Sequence, residues 1–436
     1  MFDRFKSLFQ RKPTVSDPYE QFVAAFLEEC SRQGRKPRSY DHQTRSFAFA
    51  DDKGETTTVF LGNIFTVWCA SDGPMRAEKL ARFVHGVGGT AAAASGTIDS
   101  SQLPSELMPA VRHRALISKL LIEQRMRRER EIAFTPLCGD LAACVCRDLP
   151  DTMALLTRSD LDAANLSYDQ AMALAMARLR MRAPAPNFEP LEGAPGVFWC
   201  GSLEDYQSAL LLLTPGQDFA FPPLDGEPVA LLPGRNSFIV TGSSNLPGLR
   251  VLLELAESAR QESHFLSSAL WVRGVRDDGA WREYRFDAGT EEAVKQRRIA
   301  LDELASDYHA QKEQLDQLHR TQGLDVFVAN FMVFRNEHSP GSEFSVTVLN
   351  SGSQGSLLPA ADRIAFGEQT VDPATGIASG QARDIVYVAW PDAMTIAGHL
   401  FEPVAGLYPA RYRTLGFPDA GTWSALQRAA VAGSGL

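Results

Sequence analysis

Short strand-like runs are mixed with amphipathic helical segments along the chain, and this mixture limits the fold more than any other feature of the sequence. Apolar residues recur at three- and four-residue spacing over residues 17–34, which predicts a helix. The runs SFAFADD and TTTVFLGNIFTVWCAS follow and predict a hairpin, and MRAEKLARFVHGV predicts a second helix. An α-β-β-α unit of this kind buries one small core, so the pattern indicates the α+β class.

Length and composition predict where the chain divides. At roughly 150 residues per domain, its 436 residues correspond to about three domains. Residues 88–103 are rich in Gly, Ala and Ser, a composition typical of linkers, and separate a first domain over 18–87 from a second over 104–288. We expect a connecting helix over 289–323 and a small α+β domain over 324–436. Residues 1–17 form a basic amphipathic or disordered N-terminus in this interpretation.

The second domain also mixes the two kinds of element. PSELMPAVRHRALISKLLIEQRMRRERE predicts one long helix over 104–131, and the residues from 161 to 181 favour another helix. The strand-like runs are IAFTPLC, LAACVCRDL, MALLT, GVFWC, PVALLP, SFIVTG, LWVRG and WREYRF. The run YQSALLLL fits a strand or a helix equally well. Asn245 as a cap and Pro247 as an early proline predict the start of a further helix over LPGLRVLLELAESARQ.

The predicted helix over 289–323 carries a regular apolar stripe in alternating three- and four-residue steps. The stripe consists of Leu301, Leu304, Tyr308, Leu315 and Leu318. Such spacing is typical of a helical arm or a dimer seam, and it offers a helical interface to a partner. Gln311 interrupts the stripe, and only about three heptads are regular, so a connecting helix packed on its own protein is the favoured interpretation. After it, DVFVANFMVF, EFSVTVLN, ADRIAFG and DIVYVAW predict the strands of the C-terminal domain.

The first two domains resemble a known bacterial family. ARFVHGV, LMPAVRHR, LAACVCRDLPDTMALLTRSDL and PVALLPGRNSFIVTGSSNLPGL are similar in order and phrasing to the YtpQ-like proteins, the domain of unknown function 1444. The resemblance covers about residues 19–287 and leaves the C-terminal third unassigned. It implies a fold of two α+β units and a bacterial cytoplasmic location. It implies no activity, and therefore no catalytic residue.

Net charge limits the partners that this chain can bind. Lys and Arg number 43 against 53 Asp and Glu, giving a net charge of −10, which disfavours non-specific binding to nucleic acid. A local basic face over 112–130 is the exception, and it offers a surface for phosphate, nucleic acid or an acidic protein. Its residues are Arg112, Arg114, Arg125, Arg127 and Arg128. Because charged helix faces are usually only solvated, a nucleic-acid adaptor is the third-ranked function.

Cysteine usage and hydropathy predict the compartment. Six cysteines in so long a chain, none in a CxxC pair, do not form a disulfide framework of the secreted type, so we expect a cytoplasmic protein. No run approaches the roughly 20 apolar residues of a membrane-spanning helix. Residues 1–12 place four apolar residues among four basic ones, which suits either peripheral contact with an anionic membrane or docking on the protein itself.

No local catalytic or cofactor motif occurs in the chain. The sequence lacks HExxH, HxxxH, GxSxG and GxxxxGK[ST], and Cys138, Cys144 and Cys146 lack a nearby fourth zinc ligand, so we predict neither a metal nor a cofactor. The first hypothesis for function is a non-catalytic module that binds a protein partner, with a homodimer as one form. The alternative is an enzyme, such as a hydrolase, with a dispersed site. A concave pocket with clustered, perturbed carboxylates or histidines would favour the enzyme.

Overall fold

The computed structural model describes fourteen stretches of the chain. They are residues 18–41, 46–50, 56–69, 71–95, 103–127, 131–149, 152–182, 186–201, 206–260, 265–274, 279–335, 341–351, 355–368 and 383–431. The predicted N-terminal amphipathic segment, residues 1–12, lies outside them. Helices and small sheets, mostly antiparallel, alternate throughout, so the predicted α+β class is confirmed. None of the described helices is long and apolar enough to cross a membrane.

The first unit has its own hydrophobic core. Its elements are α1 (Pro18–Arg32), β1 (Pro37–Asp41), β2 (Ser46–Ala50), β3 (Thr56–Phe60), α2 (Gly62–Cys69) and α3 (Gly73–Ser95). The predicted hairpin is confirmed, because β2 pairs antiparallel with β3. The core is rich in aromatic rings, and the rings of Phe26 and Phe47 stack 5.2 Å apart at its centre. All members of this core come from residues 19–84.

One prediction about the first unit is wrong. The second strand of the hairpin ends at Phe60, and residues 62–69 are helical because Ile64 and Trp68, one turn apart, both pack on the core. Helix α3 continues through the alanine run to Ser95, so the first part of the predicted Gly/Ala/Ser-rich linker is helical. Alanine has the highest helix propensity of all residues, and here it outweighs the neighbouring glycines.

The second region contains two sheets. The first has the order β4-β6-β5, with β7 also paired to β6, and α4 to α7 lie beside it. Its elements are α4 (Leu103–Glu106), β4 (Leu107–His113), α5 (Arg114–Arg127), β5 (Phe134–Cys138), β6 (Leu141–Leu149), β7 (Thr152–Leu155), α6 (Arg158–Ala163) and α7 (Tyr168–Arg182). The second sheet is six-stranded, with the order β13-β12-β10-β11-β9-β8. It comprises β8 (Phe188–Pro190), β9 (Val197–Cys200), β10 (Pro228–Leu231), β11 (Ile239–Gly242), β12 (Leu270–Arg273) and β13 (Trp281–Glu283), with α8 (Leu246–Ala259) packed on it.

The helix predicted over 104–131 is wrong in its first half. Residues 107–113 form β4, a buried strand that pairs along its whole length with β6. Pro109 explains the difference, since proline interrupts a helix interior but is tolerated in a strand at the edge of a sheet, where β4 lies. The helix begins only at Arg114.

Other predictions in the second region have mixed outcomes. The predicted Asn245 cap is confirmed, because its side chain accepts a hydrogen bond from the Gly248 N–H. YQSALLLL forms a 3₁₀ helix over Gln207–Leu212. The helix predicted over 161–181 is interrupted, since α6 and α7 are separated by a turn in which Asn165 has a φ of 54°.

A 32-residue helix, α9 (Glu291–Gln322), connects the second region with the third. The third region has a four-stranded sheet of order β14-β15-β17-β18 and a three-stranded sheet of order β16-β20-β19. The elements are β14 (Met332–Phe334), β15 (Phe344–Asn350), β16 (Leu357–Pro359), β17 (Arg363–Glu368), β18 (Arg383–Ala389), α10 (Trp390–Ala397), β19 (Phe401–Pro403), β20 (Arg411–Thr414) and α11 (Ala420–Arg428). The strand predicted over 325–334 is shorter than expected and covers only its last three residues.

One hydrophobic cluster joins the second region, α9 and the third region. Ile122 of α5 and Leu315 and Leu318 of α9 pack there with residues of the third region. Those residues are Val328, Leu357 and Leu407. The long helix is therefore enclosed by its own chain along this part of its length.

Candidate functional site

Four titratable side chains from three places in the sequence meet in the interior. His113 is the last residue of β4, Asp140 lies in the turn between β5 and β6, and Glu303 and Asp307 lie on α9. We call these four residues the acid cluster. His113 Nε2 is 3.1 Å from Glu303 Oε1, 3.4 Å from Asp140 Oδ2 and 3.8 Å from Asp307 Oδ2. One imidazole nitrogen thus faces three carboxyl groups at once.

Strand pairing brings His113 and Asp140 together. In the β4–β6 ladder His113 is opposite Leu141, so the preceding residue, Asp140, lies beside the imidazole. The backbone N–H of Arg114 donates to the Asp140 carbonyl at 2.7 Å. Gly139 makes the tight turn with a φ of +44°, and its carbonyl accepts from Arg114 Nη1 at 2.9 Å.

Helix periodicity supplies the other two carboxylates. Glu303 and Asp307 are four residues apart on α9, so their side chains project from the same face about one turn apart. That face is continuous with the buried stripe, in which Leu301 and Tyr308 are about two turns apart. The sequence therefore places two acids on the inward side of an otherwise apolar helix face.

Two serines hold the carboxylates in place. Ser267 Oγ donates to Asp140 Oδ2 at 2.6 Å. Ser268 donates to Glu303 Oε2 from its hydroxyl and from its backbone N–H. In Glu303 the serine fixes Oε2 and leaves Oε1 facing His113, whereas in Asp140 the same oxygen, Oδ2, accepts from the serine and faces the imidazole.

Three polar atoms of the acid cluster are buried without a well-formed hydrogen bond. They are His113 Nε2, Asp140 Oδ1 and Glu303 Oε1. The carboxylate oxygens near Nε2 are close enough for hydrogen bonding, but their directions do not satisfy its angular requirement. Buried polar atoms of this kind are uncommon in folded proteins, and each needs an explanation such as an ion or a catalytic role.

The backbone fixes the other nitrogen of His113. The Ala115 N–H donates to Nδ1 at 3.1 Å, so Nδ1 acts as an acceptor and the ring proton is on Nε2. The imidazole thereby caps the first turn of α5 while presenting Nε2 to the carboxylates.

Burial raises the pKa values of two carboxyl groups in the acid cluster. Burial is the main cause that raises the pKa of Asp140, and it raises the pKa of Asp307 to about 7, although His113 opposes both shifts. The side chain of Asp307 is 22% exposed, against 12% and 11% for Asp140 and Glu303. Asp307 is therefore the member nearest to solvent.

Aromatic and basic groups border the acid cluster. The Tyr408 ring, from the third region, meets the His113 ring edge-on at 5.8 Å between centroids, and Arg114 lies over that tyrosine at 4.4 Å. Burial and the nearby acids raise the pKa of Tyr408, which keeps its hydroxyl protonated. The site is thus enclosed by the second region, α9 and the third region together.

One group of potential metal ligands occurs among the described residues. His113 Nε2 and carboxylate oxygens of Glu303 and Asp307 all lie within 4.8 Å of one another. Cys138, Cys144 and Cys146, for which the sequence predicted no metal site, are not part of this group. Cys144 and Cys146 are fully buried, and desolvation raises the pKa values of both thiols to about 12, so they are small protonated core residues.

Within the predicted basic face, the structure describes the side chains of Arg112 and Arg114. Arg112 lies in β4 rather than in a helix, and its inward guanidinium donates to Met153 Sδ at 2.9 Å. Arg114 is at the start of α5 and stacks on Tyr408. The side chains of Arg125 and Arg127, and the whole of Arg128, lie outside the described residues.

The predicted helical interface is covered by the chain itself. Leu301, Tyr308, Leu315 and Leu318 are buried, and Leu304 is half-buried. Tyr308 donates from its hydroxyl to the Ala410 carbonyl at 2.7 Å, so this face of α9 packs against the third region. The stripe is therefore not available to a protein partner.

None of the four members of the acid cluster was predicted from the sequence. A signal for two of them was present, since Glu303 and Asp307 stand four residues apart on the edge of an apolar helix stripe. No local signal linked them with His113 or Asp140, which lie more than 160 residues away in the chain. Comparison of the chain with protein-family models, curated proteins and solved structures finds no match.

Proposed function

We propose that this protein is an enzyme of the hydrolase class and that the acid cluster is its active centre. The observation that carries the proposal is the convergence of His113, Asp140, Glu303 and Asp307, with three inward atoms lacking well-formed hydrogen bonds. Clustered and perturbed titratable groups of this kind are typical of catalytic sites. This is the dispersed-site alternative of the sequence analysis.

The energetics of burial support a functional role. Taking an ionised side chain out of water costs several kcal/mol, and pairing in the interior often fails to recover that free energy. Apolar residues of similar size would fill the same volume with less penalty. Three carboxyl groups around one histidine are therefore a poor choice for stability, and we attribute their presence to chemistry.

The arrangement suits hydrolysis by an activated water. Such a reaction needs one group that removes a proton from water and another that protonates the leaving group. The acid cluster contains both kinds of group, and Asp307 is the member nearest to solvent. Ser267 and Ser268 donate their hydroxyl hydrogens to carboxylates rather than to His113, so a serine nucleophile activated by histidine is not supported.

A panel of chromogenic substrates tests the proposal. The full chain, with and without added Zn²⁺ or Mn²⁺, is assayed on p-nitrophenyl esters, phosphomonoesters, phosphodiesters, glycosides and an anilide. We expect turnover of one class, lowered by at least about 100-fold in Asp307→Asn and in Glu303→Gln. Glu313→Gln is the matched control, because that side chain lies on the same helix and is 70% exposed. Turnover of no class, or equal turnover in all variants, would refute the proposal.

Two further expectations remain proposals. We place the protein in the bacterial cytoplasm, for which the buried, protonated thiols of Cys30, Cys144 and Cys146 are the support. We also propose that residues 19–287 share the fold of the YtpQ-like family, on the sequence phrases given above.

A further inference from the structure

We infer that the acid cluster binds one divalent metal ion through His113 Nε2 and carboxylate oxygens of Glu303 and Asp307. The inference deepens the proposed function and rests on it for the role of the ion in hydrolysis. Binding itself depends only on the arrangement of these three side chains.

The separations between the ligand atoms fit a single ion. Ligand atoms at roughly 2.1 Å from a zinc ion stand about 3–4 Å from one another. His113 Nε2 is 3.1 Å from Glu303 Oε1 and 3.8 Å from Asp307 Oδ2, and all three ligand atoms lie within 4.8 Å of one another. A closer approach of the most widely separated pair, by up to about 1 Å, would bring the three atoms onto one ion.

Unsatisfied buried atoms point to a cation independently of the number of acids. His113 is only 8% exposed, and its Nε2 is directed into the cluster without a well-formed hydrogen bond. Glu303 Oε1 is also buried without a well-formed hydrogen bond, although Oε2 of the same carboxylate accepts from Ser268. A metal ion bound between these atoms would satisfy both and would offset the charge of the carboxylates.

The donor set indicates which metals suit the site. One imidazole nitrogen with two carboxylate oxygens is a mixed set that fits Zn²⁺, Fe²⁺ or Mn²⁺ better than a soft ion that prefers thiolates. Three protein ligands leave a coordination position for water, as in catalytic rather than structural zinc sites. Asp140 is not one of the three, and its Oδ2 lies 3.4 Å from His113 Nε2 while it accepts from Ser267.

Metal binding requires His113 Nε2 to lose its proton. Nε2 carries the ring proton while Nδ1 accepts from the Ala115 N–H, and a metal ion must replace that proton. The neutral ring then carries its proton on Nδ1, so the Ala115 N–H loses its acceptor. Metal binding is thereby linked to a change at the first turn of α5.

Calorimetric titration of the full chain tests the inference. Protein treated with a chelator is titrated with Zn²⁺ and, separately, with Mn²⁺. We expect one site per chain for at least one of the two ions, with affinity lowered by at least about tenfold in Glu303→Gln and Asp307→Asn. Glu313→Gln should bind as the wild type does. Ser268→Ala, which keeps all three ligands, should lower the affinity by about tenfold because Glu303 is no longer held.

The outcomes separate this inference from the proposed function. Circular dichroism establishes that each variant is folded, and Ser268→Ala provides the test if a carboxylate variant fails to fold. No stoichiometric binding of either ion by folded wild type, or unchanged affinity in the folded variants, overturns the inference. Turnover by a folded chain that binds neither ion overturns the inference and leaves the hydrolase proposal intact. Specific metal binding without turnover of any substrate class supports this inference and overturns the hydrolase proposal.

Discussion

The two ring nitrogens of His113 connect metal binding with helix capping. One hydrogen bond contributes about 1 kcal/mol net, whereas structural zinc sites bind with roughly 10–16 kcal/mol. Loss of the bond from the Ala115 N–H to Nδ1 is therefore a small penalty that does not prevent binding.

Hydrogen exchange at Ala115 gives the first prediction. Saturation with Zn²⁺ should speed exchange of this amide by about fivefold, since a bond contributing about 1 kcal/mol is lost. Exchange resolved by NMR or mass spectrometry measures the change. The Asp160 amide, which donates to Thr157 Oγ1 in another capped helix, is the internal control and should not respond. Unchanged exchange at Ala115 in zinc-bound protein would show that Nε2 is not a ligand.

Gly139 gives a second prediction about one residue. It adopts a φ of +44°, and a Cβ there would lie 2.4 Å from Cη2 of the buried Trp271. We expect Gly139→Ala to lower the free energy of unfolding by about 2–4 kcal/mol, through backbone strain and overpacking, and to displace Asp140. Urea denaturation measures the loss. Gly193→Ala, with a φ of +77° and open space around it, isolates the backbone effect and should lose only about 1 kcal/mol. Equal losses in both variants would contradict the steric argument.

Among the secondary-structure elements, β4 shows most clearly where sequence patterns fail to distinguish a strand from a helix. LMPAV is a continuous apolar run, which periodicity alone does not assign to helix or strand. The following segment has strong helical character, and extending the helix backward over the run hid the strand. Pro109 was the local evidence against that extension. Because His113 ends this strand, the same error also concealed a member of the acid cluster.

The bounds of α9 were predicted closely, and its two carboxylates are the half of the acid cluster that sequence spacing could have indicated. Its bounds, Glu291–Gln322, agree with the expected 289–323 to within two residues, because the stripe is long and Thr290 and Gly323 provide caps. Which face meets which partner is decided by packing between distant segments, and a single sequence contains no information on that. His113 and Asp140 could not be joined to α9 for this reason.

The Arg411 side chain connects α9 with the third region through hydrogen bonds, and it gives a third prediction. Its side chain is 1% exposed and donates to the Tyr308 carbonyl and Gln311 Oε1 on α9, and to the carbonyls of Ala329 and Leu357. We expect Arg411→Met to lower the free energy of unfolding by at least about 3 kcal/mol, because several buried acceptors lose their donor. Chemical denaturation measures it. Arg413→Met, on the same strand but exposed, should change stability by less than about 0.5 kcal/mol. Similar losses in the two variants would contradict this role.

Across the whole molecule, the hydrophobic cores predict that the first unit unfolds independently, whereas α9 depends on both of its neighbouring regions. The core over residues 19–84 is built from the first unit alone, whereas α9 shares a cluster with the second and third regions. The α+β class followed from local patterns, because each unit repeats the same mixture of short elements. The sharing of a core by α9 and both of its neighbours depends on long-range packing and was not predictable.

Phe26 gives the fourth prediction, which concerns independence of the first unit. Phe26 is fully buried among aromatic rings, so Phe26→Ala should destabilise this unit by about 3–5 kcal/mol. We expect limited proteolysis to cut first between residues 18 and 95, while Zn²⁺ affinity measured by calorimetry stays unchanged. Leu27→Ala, at the next position and 39% exposed in the native protein, is the control and should resist cleavage as the wild type does. Reduced zinc affinity in the Phe26 variant would contradict independence.

The position of α9 also means that an exposed segment, residues 287–289, separates the two halves of the acid cluster in the sequence. His113 and Asp140 precede that segment, and Glu303 and Asp307 follow it. A chain cut there would yield two fragments, neither of which contains the three proposed ligands. Recovery of zinc affinity on mixing the fragments would then measure their complementation directly, without a label attached to either one.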